Sequence, residues 1–311
     1  MLTASRKPSS QVLLSPRFLR SRLHLRIRRR GCKYVTKKKK VRILTYFVLI
    51  LGLILILFPL YITIVTAFKT NIQTAKSFFT PPLPATMENV WVILTSKEYW
   101  SAFKNTAYIT VFVLLGNMII MPAMSYAIAR SMPSSRVYRW IYYFLLLGIF
   151  IPFQVKMMPL VKMMSYLHML NPTGLIILCI SSSTCESVFL LVGYMGAIPQ
   201  EMEEAAYVDG ASTFQTYTKI VFPLLKPMLA TVLIKMALWT WNDFMLPLVT
   251  LNRSWKYWTL TLFQYNFKTE YMINYGLTFA TILMSMLPIL IFYAFMQKYI
   301  ISGLTSGAVK S

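Results

Sequence analysis

The sequence predicts an all-α membrane protein with six transmembrane helices, and three observations predict it. Apolar residues make up 57% of the 311 residues while charged residues make up only 13%, where soluble domains carry roughly 25% charged residues. Six stretches are apolar over about the 20 residues a helix needs to cross a hydrocarbon core. A dense basic segment stands immediately before the first of them.

That basic segment defines the first of two expected domains, a tail over 1–42, followed by a membrane domain over 43–311. Fifteen of the 32 Lys and Arg fall between Arg6 and Arg42, with no Asp or Glu among them. The net charge of +23 is therefore mostly a tail property. Arg28, Arg29, Arg30 and the run Lys37 to Lys40 precede the first apolar run, an arrangement that holds an N-terminus in the cytoplasm and attracts anionic lipid headgroups. The segment lacks regularly interleaved aromatics for base stacking, so no nucleic-acid partner is expected, and its composition favours disorder.

The spans are expected at about 43–68, 106–128, 140–161, 175–197, 228–250 and 272–296. The first is too long for a signal-peptide core and lacks a small-residue cleavage pattern, so it is read as an uncleaved span. Six spans put both termini on one side, and the tail with Arg130, Arg136 and Arg139 places that side in the cytoplasm. The connection 69–105, with Pro81, Pro82 and Pro84 breaking any helix and Trp91, Tyr99 and Trp100 suited to an interface, is read as a short amphipathic external cap.

Catalytic classes are excluded by what the sequence lacks. It has no phosphate-cradling Gly-x-x-x-x-Gly-Lys run, no Gly-x-Ser-x-Gly elbow and no His-Glu-x-x-His helix. Cys32, Cys179 and Cys185 form no disulfide framework, and His24 and His168 are too few and too far apart for a metal cluster. No cofactor, no metal and no catalytic residue is expected.

The most specific pattern lies in the loop 199–227: Glu204-Ala205-Ala206, three spacers, Gly210, nine spacers, Ile220, two spacers, Pro223. Pro199 suits a first helical position, and Glu201, Glu203 and Glu204 complement the positive helix end, predicting a short helix to Val208. Gly210 is placed to take a left-handed conformation, and Ser212 with Gln215 forms a capping-box pattern that opens a second helix toward Pro223. Phe214, Tyr217 and Val221 would share one face of it, while Ala205 and Ala206 keep the first helix thin. Asp209 stands beside the turn, so Glu204 or Asp209 could meet basic groups on a partner.

This loop resembles the coupling loop of the permease subunits of ATP-binding-cassette (ABC) importers. Further strings extend the resemblance from about Tyr46 to Lys310 and narrow it to carbohydrate importers of the maltose and multiple-sugar type: FKNTAYIT from Phe103, SYAIAR from Ser125, MPLVKMMSYLHMLNPTGLII from Met158, WNDFMLPL from Trp241 and SGLTSGAVKS at the end. The resemblance implies the type I ABC importer permease fold in a bacterial cell membrane. It implies a second, different permease, two copies of an ATPase that hydrolyses ATP for this chain, and an extracellular or periplasmic sugar-binding protein. In this reading Gly210 is the pivot of a loop that the ATPase swings.

Two features depart from that family. The basic tail is long, and Glu186 falls near the middle of the fourth span, where a carboxylate is costly and is by default a functional candidate. Glu186 could accept hydrogen bonds from sugar hydroxyls, with Ser181, Ser182, Ser183 and Thr184 lining the same region; the alternatives are an ion pair with Lys156 or Lys235, or a protonated carboxyl. Asn242 and Asp243 are polar groups in the fifth span that must find partners, by packing between spans or by contacting the solute. A permease for another solute, such as a polyamine, is the main alternative. An ion-coupled secondary transporter is less favoured, because neither internal repeats nor broken helices around a midplane ion site are evident in the sequence.

Overall fold

The computed structural model describes residues 44–270 and 274–308, with side chains described through 266 and from 274 to 296. The tail 1–42 lies outside them, as do the side chains of the closing SGLTSGAVKS string. Every regular element among the described residues is helical. Two compact units divide at Tyr61. In the first, Leu44–Tyr61 is unbroken helix, the main part of α1 (Leu44–Ala67). The rest of α1 belongs to the second unit, where Thr66 and Ala67 are fully buried.

The expected connection 69–105 holds two short helices and then, from Lys97, the start of a long one, so its prolines do not keep it free of helix. Helix α2 (Asn71–Lys76) opens on a capping box between Thr70 and Gln73. Helix α3 (Glu88–Thr95) is tied back by Asn89, whose Nδ2 donates to Ala67 O at 3.0 Å and Lys69 O at 2.8 Å. Lys69 is buried, and its Nζ donates to Ser77 O at 2.8 Å, so its charge is held by backbone rather than water. Gly276 closes this contact: a Cβ there would come within 2.8 Å of both Asn89 Nδ2 and Lys69 O. Trp91 is exposed, whereas Tyr99 is a core residue that donates to Met284 O at 3.2 Å, so only part of this aromatic group is available to an interface.

Helix α4 (Lys97–Ser131) is much longer than the span expected over 106–128. Ser96 caps it by accepting from Tyr99 N, and no proline intervenes before Pro122, so nothing stops the helix between the Tyr99 region and the membrane segment. Its 35 residues extend about 52 Å.

The expected third span, 140–161, is two helices: α5 (Arg136–Ile149) and α6 (Phe153–Tyr166), bent by 106°. Pro152 is the physical reason, since it lacks an N–H and pushes Ile151 out of helical geometry. Helix α7 (Pro172–Met195) starts with Pro172 at its first turn and Asn171 accepting from Gly174 N at 3.0 Å. The expected fifth span also breaks: α10 (Phe222–Asn242) ends at extended Asp243, and α11 (Met245–Leu251) follows. Helices α12 (Leu260–Glu270) and α13 (Tyr275–Ala308) complete the bundle. Among the described residues, five helices are long and apolar enough to cross a membrane, six if the bent pair counts as one span.

At the centre, α4 and α7 pack side by side with α10 against both. Val113, Leu175, Leu178 and Cys179 fill one buried cluster, and Met121, Val188, Leu191 and Val232 fill the next. Close approach depends on small residues, as expected where apolar lipid removes most of the hydrophobic drive for helices to associate. At Gly148 on α5, an added Cβ would lie 2.6 Å from Cys185 Sγ on α7.

Candidate functional site: a braced helix-turn-helix and a charged cavity

The 199–227 loop forms the helix-turn-helix that its residues predict, with two corrections. Helix α8 (Glu201–Val208) starts two residues after Pro199, because Gln200 O is the first acceptor, taking Glu203 N at 2.9 Å and Glu204 N at 3.0 Å. At its end, Gly210 takes φ +80°, with Gly210 N on Tyr207 O at 3.0 Å and Ala211 N on Ala206 O at 2.9 Å. Those two bonds make a complete Schellman motif around the glycine. Ser212 then caps α9 (Thr213–Thr216) reciprocally with Gln215, at 3.3 Å and 2.9 Å.

The second correction concerns Pro223. The second helix does not stop there: α9 passes through a π turn, Tyr217–Val221, straight into α10, so the helix that starts at the loop is also the fifth span. Pro223 lies in the first turn of α10, and the wider π turn accommodates the hydrogen bond that proline cannot donate. That turn also rotates the helix face. Val221 is fully buried, Tyr217 is half-buried and Phe214 is exposed, so the three do not share one face.

Helix α8 is pinned to the bundle by a residue that sequence reasoning used only as a dipole complement. Glu203 is buried, and its Oε1 accepts from Arg130 Nε at 2.7 Å and lies 2.5 Å from Arg130 Nη2. Its Oε2 accepts from Tyr126 Oη at 2.9 Å. Arg130 also reaches Ile198 O and Met195 O, at 3.4 and 3.5 Å, so one guanidinium joins the ends of α4 and α7 to α8. Tyr126, Met195, Ile198, Val221 and Leu225 pack around this cluster. The available signal was an Arg closing a span's last turn with a spare Glu beside Glu204.

Pinning Glu203 and Ala206 inward leaves the opposite face open. Glu204, Ala205, Asp209 and Gly210 are exposed, together with Val208 at 87% and Phe214 at 74%. Ile220 is half-buried and Pro223 exposed. Exposed apolar side chains beside acidic ones on a rigid turn form a surface suited to a protein partner.

The second site is a cavity of about 390 Å³ between α6, α7, α10 and α11, lined by Lys156, Ser182, Ser183, Glu186, Lys235, Trp239 and Asp243 among others. It collects three of the four candidate pathway residues: Glu186, Ser183 and Asp243. Asn242 is not among them; its Nδ2 donates to Leu238 O at 2.8 Å. Ser181 is exposed outside the cavity lining, and Thr184 bonds back to Ile180 O at 2.9 Å. Glu186 forms an ion pair with Lys235, not with Lys156. The Ser183 hydroxyl lies 2.8 Å from both Asn117 Oδ1 and Ile180 O, locking α7 to α4. Asp243 Oδ1 accepts from Met245 N at 3.1 Å and Leu246 N at 3.4 Å, which starts α11 after the break.

A bundle of apolar spans that encloses charged groups in a cavity and ends in a rigidly braced, exposed helix-turn-helix defines a membrane transport subunit. The chain belongs to the family of binding-protein-dependent transport system inner membrane components, whose model matches residues 122–305. It is 45% identical to the multiple sugar-binding transport system permease protein MsmG of Streptococcus mutans, over 85% of this chain and 96% of that one. It is 32% identical to the probable starch degradation products transport system permease protein AmyC of Thermoanaerobacterium thermosulfurigenes, over 88% and 99% respectively. Its fold is similar to that of a chain in the crystal structure of a bacterial ABC transporter involved in the import of the acidic polysaccharide alginate, with TM-score 0.72 and 24% identity, covering 83% of this chain and 95% of that chain.

Proposed function

We propose that this chain is the permease subunit of an ATP-driven sugar importer, forming half of a translocation pathway and coupling to a cytoplasmic ATPase through the loop 199–227. The observation that carries the coupling role is the rigid Gly210 turn, whose inner face is bound to the bundle through Glu203 and whose outer face presents Glu204, Ala205 and Asp209. An outer helix face kept thin by Ala205 and a protruding turn suit a helix-in-groove contact. Because α9 runs into α10, displacement of the turn would be carried directly into the fifth span. Ile220 and Pro223 sit at the π turn where the two meet.

The sugar assignment is supported by the named cargoes of the relatives. Partners in this reading are a second, homologous permease, two copies of the ATPase and an extracellular sugar-binding protein, with both termini of this chain in the cytoplasm. The cavity that holds Glu186, Ser183 and Asp243 is the substrate pathway, and Asn242 supports the helix end beside it.

Uptake of labelled mono- and oligosaccharides by cells lacking this chain, restored as wild type or as Glu204→Ala with Gly210→Ala, tests both halves. Loss of a sugar's uptake that only the wild type restores is the expected result. Unchanged sugar uptake across the panel refutes the sugar reading, and rescue by the double variant refutes the coupling role.

A further inference from the structure

We propose that the Glu186–Lys235 pair is the specificity-determining contact of the cavity and that it selects an uncharged sugar with adjacent hydroxyls; this rests on the sugar-import reading above. The first argument is position. Glu186 lies about 14 Å from the nearer end of α7, and Lys235 about 10 Å from the nearer end of α10. Charged groups this far inside spans cannot face lipid, yet both side chains are nearly half exposed, at 47% and 48%. Their open side faces the cavity that both of them line.

The second argument is hydrogen-bonding capacity. An ammonium has three donors and a carboxylate about four acceptor positions, and the pair uses one of each. Neither group makes a further hydrogen bond among the described residues. Adjacent spare donors and acceptors are complementary to neighbouring sugar hydroxyls, each of which both donates and accepts. Trp239, 38% exposed, and Phe153 line the same cavity and supply apolar surface for the C–H face of a sugar ring.

The third argument is charge balance. Glu186 cancels Lys235, and the other charged lining residues, Lys156 and Asp243, are again one of each sign. A charged solute would find no net counter-charge and would have to give up its hydration uncompensated, so the same pairing that holds an uncharged sugar rejects an acidic one.

The test is uptake of labelled raffinose and maltotriose, neutral probes, against trigalacturonate, an acidic probe of equal length, with the amount of chain in the membrane measured for each variant. Wild type is expected to import a neutral trisaccharide and exclude the acidic one. Glu186→Gln, which leaves two lysines against one carboxylate, should lower neutral uptake about tenfold, as for a lost hydrogen bond to a charged group, and should admit trigalacturonate. The exchange Glu186→Lys with Lys235→Glu should return neutral uptake to near wild type. Variants that change only the amount of chain in the membrane, with the neutral-to-acidic ratio per chain constant, overturn the specificity role while leaving sugar import standing. A wild type that prefers trigalacturonate overturns the selection of an uncharged sugar while leaving sugar import standing, and one that imports neither these three probes nor any other sugar of the wider panel overturns the reading beneath it as well.

Discussion

Arg130 and Glu203, 73 residues apart in sequence, meet through two guanidinium nitrogens on one carboxylate oxygen, at 2.7 and 2.5 Å, with Tyr126 holding the other oxygen. Both partners are largely removed from solvent. A paired contact of this kind aligns the short α8 with the last turn of α4, and its geometry is fixed by the planar guanidinium.

Removing one partner from this pair leaves the other charge buried and unpaired. Glu203→Ala is expected to cost on the order of 3–5 kcal/mol, read as a lower unfolding temperature of the purified chain in detergent. Arg130→Lys should recover only part of the loss, because lysine lacks the fork that spans Nε and Nη2. Equal stability of Glu203→Ala and wild type would show that the brace contributes nothing.

Gly210 occupies a left-handed conformation with open space around it, so backbone strain rather than collision limits substitution. Gly210→Asn, whose side chain tolerates this region, should retain most transport. Gly210→Val should cost roughly 1–2 kcal/mol in the turn and abolish uptake while the chain still reaches the membrane. Comparing uptake per chain in membranes for the two variants checks the order.

The Ser212–Gln215 capping box holds the first turn of α9. Ser212→Ala should weaken that turn by about 1 kcal/mol. Hydrogen exchange at Thr213–Thr216 should accelerate roughly five-fold, in line with that energy, and exchange in the centre of α10 should not change.

Gly148 and Cys185 bring α5 and α7 close enough to link. A Cβ at position 148 would lie 3.7 Å from Cys185 Cβ, within the range that a disulfide spans. Gly148→Cys is expected to form that bond under mild oxidation, shown by protection of both thiols from maleimide labelling until reductant is added. Persistent labelling of both would mean the two helices are not packed as described.

Local chemistry was legible where a few neighbouring residues decide the outcome. The Gly210 turn and the Ser212–Gln215 cap formed as their spacing predicts, because each needs only hydrogen bonds within about six residues. Helix ends were less legible. Pro152 broke a span that hydropathy alone reads as continuous, whereas Pro223 failed to end a helix, because the π turn before it accommodates the missing donor. Both are prolines beside apolar runs, and what distinguishes them is how the neighbouring turns pack.

By itself the sequence determined that the chain is a helical membrane protein of this transport family, with apolar spans and a loop pattern dense enough to identify. Only the tertiary structure decided that Glu203 rather than Glu204 faces the bundle, that Glu186 pairs with Lys235 rather than Lys156, and that Asp243 faces the cavity while Asn242 does not. The physical reason is distance along the chain. Hydropathy and capping act between near neighbours, but the partner of a buried charge is chosen by which helices pack together, and α4, α7, α8 and α10 bring together residues 49 to 77 positions apart.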